Sequence, residues 1–164
     1  MTYLITFACY GARVHGDEPG SVDRAHNVPG TRLLEPEPTR ASAERQEMTQ
    51  EPYRLDRLRR ALVLQSVLEV CGCRGWSLFA AHVRTNHVHV VVEATDRPEK
   101  VLNALKAYAS RALNKAGLDG PARRRWSRHG STRYLWKREQ VTEAIAYVAQ
   151  GQGEPMARYM NEEP

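Results

Sequence analysis

The sequence predicts an α+β fold in which a mostly antiparallel sheet carries its helices packed on one face. Short segments rich in aromatic and β-branched residues alternate with longer segments whose apolar residues recur at helical spacing. Two of the short segments are separated only by Arg84-Thr85-Asn86, which predicts a central hairpin. The chain has 164 residues, 41% of them hydrophobic, which suits one domain with a modest core.

The first half of the chain contributes three predicted strands and one helix. Tyr3–Tyr10 (YLITFACY) is short and β-rich and predicts the first strand. The apolar residues of Leu55–Val70 recur at helical spacing, and Gly72 is the expected end of that helix. Trp76–Val83 and His87–Glu93 are then the two strands of the hairpin.

The second half adds a helix, a strand and a final helix. Pro98 suits the first turn of a helix that runs to Gly117, with Asp96 as the candidate N-cap. A short strand is predicted at Tyr134–Lys137, and Glu139–Gln150 has the spacing of a last helix. The resulting order of strands and helices is close to that of a ferredoxin-like sandwich.

A proline- and glycine-rich stretch separates the first strand from the first helix. Residues from about 16 to 53 are polar and carry no sustained periodicity. Loops of this length are usually either functional or disordered, and the sequence leaves both open. We therefore expect a single domain over residues 1–164, with a long loop or insertion at about 16–53.

The charge balance favours an anionic partner. Lys and Arg number 24 against 19 Asp and Glu, which gives a formal net charge of +5. Nucleic acid is the commonest soluble anionic partner of such a chain.

The apolar runs and the cysteines suggest where the protein resides. No apolar run is long enough to cross a bilayer, and the start of the chain lacks the pattern of a signal peptide, so we expect no membrane partner. Cys9, Cys71 and Cys73 form no evident disulfide framework, which indicates a reducing compartment. The single residue between Cys71 and Cys73 favours two small buried side chains over a zinc pair. We expect a cytoplasmic protein that is associated with the nucleoid when it is bound to DNA.

Two histidines on one predicted strand are the strongest chemical signal. His87 and His89 are two residues apart, so on a strand they project to the same side, while Val88, Val90 and Val92 cover the opposite side. Neighbouring imidazoles can bind a divalent metal, which polarises phosphate oxygens. The alternative is a half-exposed strand whose outward positions happen to be histidine. The pairing and its valine frame favour the metal site.

A basic segment, ARRRWSRHGSTR at residues 122–133, combines positive charge with aromatic rings. Arginines bind phosphate, and unstacked bases can lie on such rings, so the segment favours single-stranded or hairpin DNA over a merely solvated loop. Trp76 and Trp136 are expected in the core. The candidate nucleic-acid-binding residues are Arg111, Lys115, Arg123, Arg124, Arg125, Trp126, Arg128, His129 and Arg133.

Several segments together resemble one family. Asn86–Val92 (NHVHVVV) is similar to the HUH signature of single-tyrosine transposases, which include the insertion-sequence and REP-associated tyrosine transposases. Leu105–Arg111 resembles the tyrosine helix of that family, and Trp126–Lys137 resembles the segment before its last helix. The opening Thr6–Gly11, followed by His15-Gly16-Asp17, also fits one branch.

The resemblance implies metal-dependent nicking and rejoining of single-stranded DNA through a 5′-phosphotyrosine intermediate. It implies that His87 and His89 hold Mg²⁺ or Mn²⁺ and that Tyr108 is the nucleophile. On a helical wheel Tyr108 lies at the edge of the apolar stripe, beside Arg111 and Lys115, which could hold phosphate. The wheel alone fits equally well a tyrosine that covers the margin of the core.

The third metal ligand is the main departure from the family pattern. A polar residue one turn after the tyrosine often completes the metal site in such enzymes, but here that position is Ala112. His82 on the neighbouring strand, Asp17, His15 or water are the candidates for the third position.

Two other functions stay open. A nucleic-acid-binding module with reduced or no catalytic activity is consistent with Ala112. An unrelated metal-dependent hydrolase is less well supported, because no dense set of further Asp and His ligands is evident. The DNA sequence recognised and the choice between monomer and homodimer are open as well.

Overall fold

The computed structural model describes residues 1–12 and 49–161. Within them, strands and helices alternate along the chain. Their bounds are β1 Thr2–Ala8, α1 Arg57–Arg74, β2 Ser77–Val83, β3 His87–Glu93, α2 Pro98–Lys115, β4 Ser131–Leu135, α3 Arg138–Gln150 and β5 Ala157–Met160.

The five strands form one sheet in the order β4-β1-β3-β2-β5, and every neighbouring pair is antiparallel. This confirms the predicted α+β class and antiparallel sheet. The first four strands have the ferredoxin-like order. Strand β5 is not evident from the sequence, because its four residues alternate between half-buried and exposed positions and contain no apolar run.

Helices α1 and α2 pack on one face of the sheet. Each connects two strands that are parallel to each other and separated by one strand, and right-handed crossovers place both helices on the same side. They bury the larger core, which includes Phe7 and Val90 from the sheet, Val67 from α1 and Leu105 from α2.

Helix α3 packs on the opposite face, so the expectation that the helices share one face holds only for α1 and α2. Leu4, Val91 and Leu135 of the sheet meet Ala144 and Val148 of α3 in a second, smaller core. The reason is topological. Strands β4 and β5 are the two edges of the sheet, and the chain between them crosses the face that α1 and α2 leave open.

The ends of three elements differ from the prediction. Helix α1 continues through the predicted stop at Gly72 and ends at Gly75, whose φ of 68° is the left-handed conformation that favours glycine. Asp96 does not cap α2; its carboxylate instead accepts hydrogen bonds from Lys100 Nζ and Trp76 Nε1. Strand β4 begins and ends earlier than predicted, at Ser131 and Leu135.

Most of the predicted loop at 16–53 lies outside the described residues. The part that is described ends in a buried anchor, since Tyr53 and Leu55 are both in the larger core. Among the described residues, none of the helices has the length and apolarity that crossing a bilayer requires.

Candidate functional site

His87 and His89 lie side by side on β3, on the face that α3 covers. Their ring centroids are 4.8 Å apart and the ring planes are nearly perpendicular, at 81°. His87 Nδ1 lies 2.7 Å from the amide oxygen of Asn86. His89 Nδ1 lies 2.9 Å from the hydroxyl oxygen of Thr6, which is its partner residue on β1.

Because Nδ1 of each ring has a hydrogen-bond contact, Nε2 is the nitrogen that would bind a cation. An amide oxygen only accepts hydrogen bonds, so Nδ1 of His87 carries the proton and Nε2 carries the lone pair. The Thr6 hydroxyl can accept from Nδ1 of His89 in the same way. A hydrogen bond on the far nitrogen is the usual support of a metal-binding histidine, because it sets the tautomer and the ring orientation.

A tyrosine on α3 reaches this pair. The ring of Tyr147 meets the ring of His89 edge to face, with centroids 5.7 Å apart and planes at 74°. The apolar side of α3 positions it: Ala144 and Val148 are buried against the sheet, while Tyr147 next to them keeps 49% of its surface exposed. The site therefore combines a phenol and two imidazoles at one solvent-accessible position.

The structure does not bring Tyr108 to the histidines. Tyr108 is on α2 and packs against the larger core, so the sheet lies between it and His89. Lys106 and Ser110 contact the segment before β4, and a step of two residues turns a helix by about 200°, so Tyr108 points away from that segment. Its ring is covered instead by the guanidinium of Arg111, 4.5 Å from the ring centroid.

Sequence reasoning overlooks Tyr147 because its segment has the pattern of an ordinary core helix. The available signal is the position of Tyr147 beside Ala144 and Val148, together with a strand order that sends α3 across the histidine face. The strand order cannot be read from the sequence of the helix itself.

His82, a candidate third metal ligand, contacts backbone atoms through both of its ring nitrogens. It lies on β2 directly opposite His89, but its Nε2 accepts the N–H of Met156 at 3.0 Å, and its Nδ1 lies 3.0 Å from the carbonyl oxygen of Val148. Since Nε2 accepts, the proton is on Nδ1, and both nitrogens are engaged with backbone. Burial lowers the pKa of His82, which keeps the ring neutral. His82 thus ties α3 and the approach to β5 to the sheet, and it can bind a metal only by giving up one of these bonds.

Among the described residues, the structure brings no other predicted third ligand to the histidines. His15 and Asp17 lie outside the described residues, and Ala112 is on α2 with Tyr108. In the part of the chain that the structure describes, no three His, Cys, Asp or Glu residues form a group that could hold a metal. One turn after Tyr147 the chain presents Gln150, which is exposed.

Part of the predicted DNA-binding segment is internal. Arg125 is only 4% exposed, and its guanidinium contacts Asp119 at 3.4 Å and Asn114 at 2.8 Å. The indole N–H of Trp126 donates to Ser110 at 2.9 Å, and its ring packs against Phe7. Arg123 donates to Gln50 and to the backbone of residue 51. These three residues hold the segment in place, so they are not an open binding surface.

The rest of the segment passes the end of β1 and leads into β4. Arg128 and His129 are exposed, and the backbone beside them is fixed because Lys106 Nζ donates to the carbonyl oxygens of residues 127 and 129 at 2.9 and 3.0 Å. A Cβ at Gly130 would lie 2.7 Å from the carbonyl oxygen of Thr6, so this close approach requires glycine. Arg133 follows on β4 and projects to the face of His89.

The remaining residues predicted to bind nucleic acid do not lie beside the histidines. Arg111 and Lys115 are exposed on α2, on the other side of the sheet from the histidines. Arg124 is exposed, with its guanidinium 5.9 Å from the ring centroid of Tyr10.

Comparisons with known proteins give a family for the chain. No curated protein matches the sequence. A solved structure, described as the REP-associated tyrosine transposase bound to a REP hairpin, is similar with a TM-score of 0.49 and 10% sequence identity. The match covers 92% of this chain and 65% of that one, so the chain spans less than two thirds of its solved neighbour. A family model described as IS200-like transposase matches residues 44–146, which include both histidines and end just before Tyr147. Since this match covers well over half of the sequence, the chain belongs to the IS200-like transposase family.

Proposed function

We propose that this protein binds single-stranded or hairpin DNA and nicks and rejoins it through a covalent bond to Tyr147. His87 and His89 are the proposed ligands of Mg²⁺ or Mn²⁺. The contact between the rings of Tyr147 and His89, 5.7 Å apart, is the observation that carries the proposal. In this proposal Tyr147 takes the role of nucleophile that the sequence led us to expect for Tyr108.

The reaction needs only one activated phosphodiester and one phenol. The deprotonated oxygen of Tyr147 attacks phosphorus, a phosphotyrosine bond forms at the 5′ side, and the 3′ oxygen leaves and takes up a proton. A 3′ hydroxyl then attacks the phosphotyrosine in the reverse sense and releases the phenol. The bond energy is kept throughout, so rejoining requires no nucleotide cofactor.

The two imidazoles fit part of a divalent metal site. Asn86 and Thr6 hold their Nδ1 atoms, which leaves metal binding to the Nε2 atoms. A bound divalent metal would polarise the scissile phosphate and stabilise the charge that develops on its oxygens. Mg²⁺ and Mn²⁺ favour oxygen ligands, so we propose the phosphate, water and the side-chain carbonyl of Gln150 for the other positions.

The DNA-binding surface follows from the exposed basic residues. Arg128 and His129 are next to the end of β1, and Arg133 projects from β4 to the histidine face. Together they would neutralise phosphates of a strand that approaches Tyr147.

The test is covalent trapping. The wild-type chain is incubated with a DNA hairpin that carries single-stranded flanks, with Mn²⁺, and the mixture is separated by denaturing electrophoresis. We expect a protein–DNA adduct in the wild type and in Tyr108→Phe, and none in Tyr147→Phe. An adduct that persists in Tyr147→Phe contradicts the proposal.

The same experiment separates the other functions. Salt-sensitive DNA binding without any adduct supports a binding module without turnover, and metal-dependent turnover that survives Tyr147→Phe supports a hydrolase. The site as proposed is built from a single chain, which is consistent with an active monomer. The cytoplasmic location stays a prediction from the sequence.

A further inference from the structure

Two exposed aromatic rings lie at the sheet edge formed by β4. The rings of Tyr134 and Trp136 are stacked, with centroids 5.1 Å apart and planes within 8° of parallel. Trp136 is 69% exposed, so the expectation that it belongs to the core is wrong. It follows Leu135, which is buried on the α3 side, and therefore projects to the other side at the end of the strand.

The stack is supported by the buried ring of Tyr3 and by a hydrogen bond from the backbone of Trp136. Tyr3 packs edge-on against Tyr134, with centroids 5.2 Å apart, and donates its own hydroxyl to the carbonyl oxygen of Asp96 at 3.0 Å. The backbone N–H of Trp136 donates to the side chain of Gln140 at 2.8 Å. The indole is thus presented on a supported backbone, and its ring face turned away from Tyr134 is accessible.

Two exposed positive charges follow the stack along the chain. Lys137 and Arg138 come directly after Trp136 and are exposed, whereas Arg133 projects to the histidine face and Glu139 is the first acidic residue after them. A flat ring that is open on one face, with positive charge beside it, matches an unpaired base with its phosphates.

Strand β4 connects this stack to the candidate site. Its first residue, Ser131, is in register with Thr6, the residue that hydrogen-bonds His89. Trp136 is five residues further along the chain, roughly 17 Å at the rise of a β-strand. The stack and the histidines are on opposite sides of this edge strand, so a short single-stranded segment that spans the distance would pass around the sheet edge.

We propose that Tyr134 and Trp136 form a stacking platform for an unpaired base in the single-stranded DNA that flanks the nicking site. This inference rests on the proposed function for the identity of the nucleic acid. It adds a binding position outside the catalytic residues, which would hold the flanking strand along β4.

Binding is tested in the Tyr147→Phe background, without metal, so that chemistry does not contribute. Fluorescence anisotropy compares a hairpin that carries a single-stranded thymidine extension with the same hairpin made blunt. We expect Trp136→Ala to weaken binding of the extended hairpin roughly tenfold, the range that one stacked base contributes, and to leave the blunt hairpin unaffected. Trp136→Phe should retain most of the affinity.

Leu58→Ala is the matched control, because Leu58 is also an exposed apolar side chain, at 56%, but lies on α1. It should change neither affinity. Equal affinities of Trp136→Ala and its parent for the extended hairpin, or equal losses for both hairpins, would overturn the proposal. So would a dimer in solution that Trp136→Ala dissociates, because the rings would then bind a second copy. Failure of the proposed function would appear differently, as a wild-type chain that forms no adduct.

Discussion

The rings of His89 and Tyr147 meet edge to face, with centroids 5.7 Å apart, although one residue is on β3 and the other on α3. The contact exists because β4 and β5 are opposite edges of the sheet, and the helix that joins them crosses the histidine face. Strand order therefore selects which tyrosine accompanies the histidine pair.

Removing the hydroxyl that supports His89 should weaken metal use. Thr6→Val keeps the shape of the side chain but removes the oxygen 2.9 Å from His89 Nδ1. We expect the Mn²⁺ concentration for half-maximal adduct formation to rise about 10–100-fold, the usual cost of losing such a support. Thr132→Val is the control, since Thr132 pairs with Ile5 and projects to the other face. An unchanged Mn²⁺ requirement in Thr6→Val would argue against His89 as a ligand.

Arg128 should contribute to DNA affinity through charge. Because Arg128 is exposed in the basic segment next to the end of β1, Arg128→Ala should weaken binding to all sequences and reduce the slope of log affinity against log salt by about 1. The slope is measured by titrating a labelled hairpin at several salt concentrations. Arg57→Ala removes an exposed arginine at the start of α1, on the other face of the sheet from the histidines, and should leave the slope unchanged. If both variants shift the slope equally, binding is not localised at the site.

Arg125 should matter for stability instead. Its guanidinium is buried and contacts Asp119 and Asn114, so Arg125→Ala leaves these groups with fewer hydrogen bonds. We expect the free energy of unfolding, measured with urea, to fall by about 1–3 kcal/mol. Arg124→Ala, at the exposed neighbour, should change it by less than about 0.5 kcal/mol. Similar stabilities of the two variants would mean that the internal contacts of Arg125 do not hold the segment.

Lys106 should make stability depend on pH in the alkaline range. Burial lowers its pKa to about 8, whereas an unfolded lysine titrates near about 10.4. Between these values the unfolded chain binds more protons than the folded chain, so the contribution of Lys106 to the free energy of unfolding should rise with pH across this window and stay level below the folded pKa, where both states are protonated. Urea unfolding at several pH values should show this rise in the wild type relative to Lys106→Met. Parallel curves for the two proteins would contradict it.

Local patterns predict most of the elements and half of the site. The alternation in His87–Glu93 gives the strand with its observed bounds, and the spacing of two places both histidines on one face. Strand β5 escapes prediction because Ala157–Met160 is short and lacks an apolar run.

The features that the sequence does not predict depend on contacts between distant parts of the chain. The wheel of α2 shows that Tyr108 is at the edge of an apolar stripe, but not which face of the sheet that stripe covers. Charge in the sequence likewise does not reveal that Arg125 faces Asp119, or that Trp136 lies beyond the end of its strand. Each of these features is set by tertiary packing.

The most direct test of the account is to locate the nucleotide on the trapped protein. Trypsin cleaves after Lys and Arg, so Tyr147 and Tyr108 fall in different peptides, residues 139–158 and 107–111. Mass spectrometry of the digested adduct should find the added nucleotide mass on peptide 139–158, and fragmentation should place it on Tyr147. Nucleotide mass on peptide 107–111 would contradict the account and restore Tyr108 as the nucleophile.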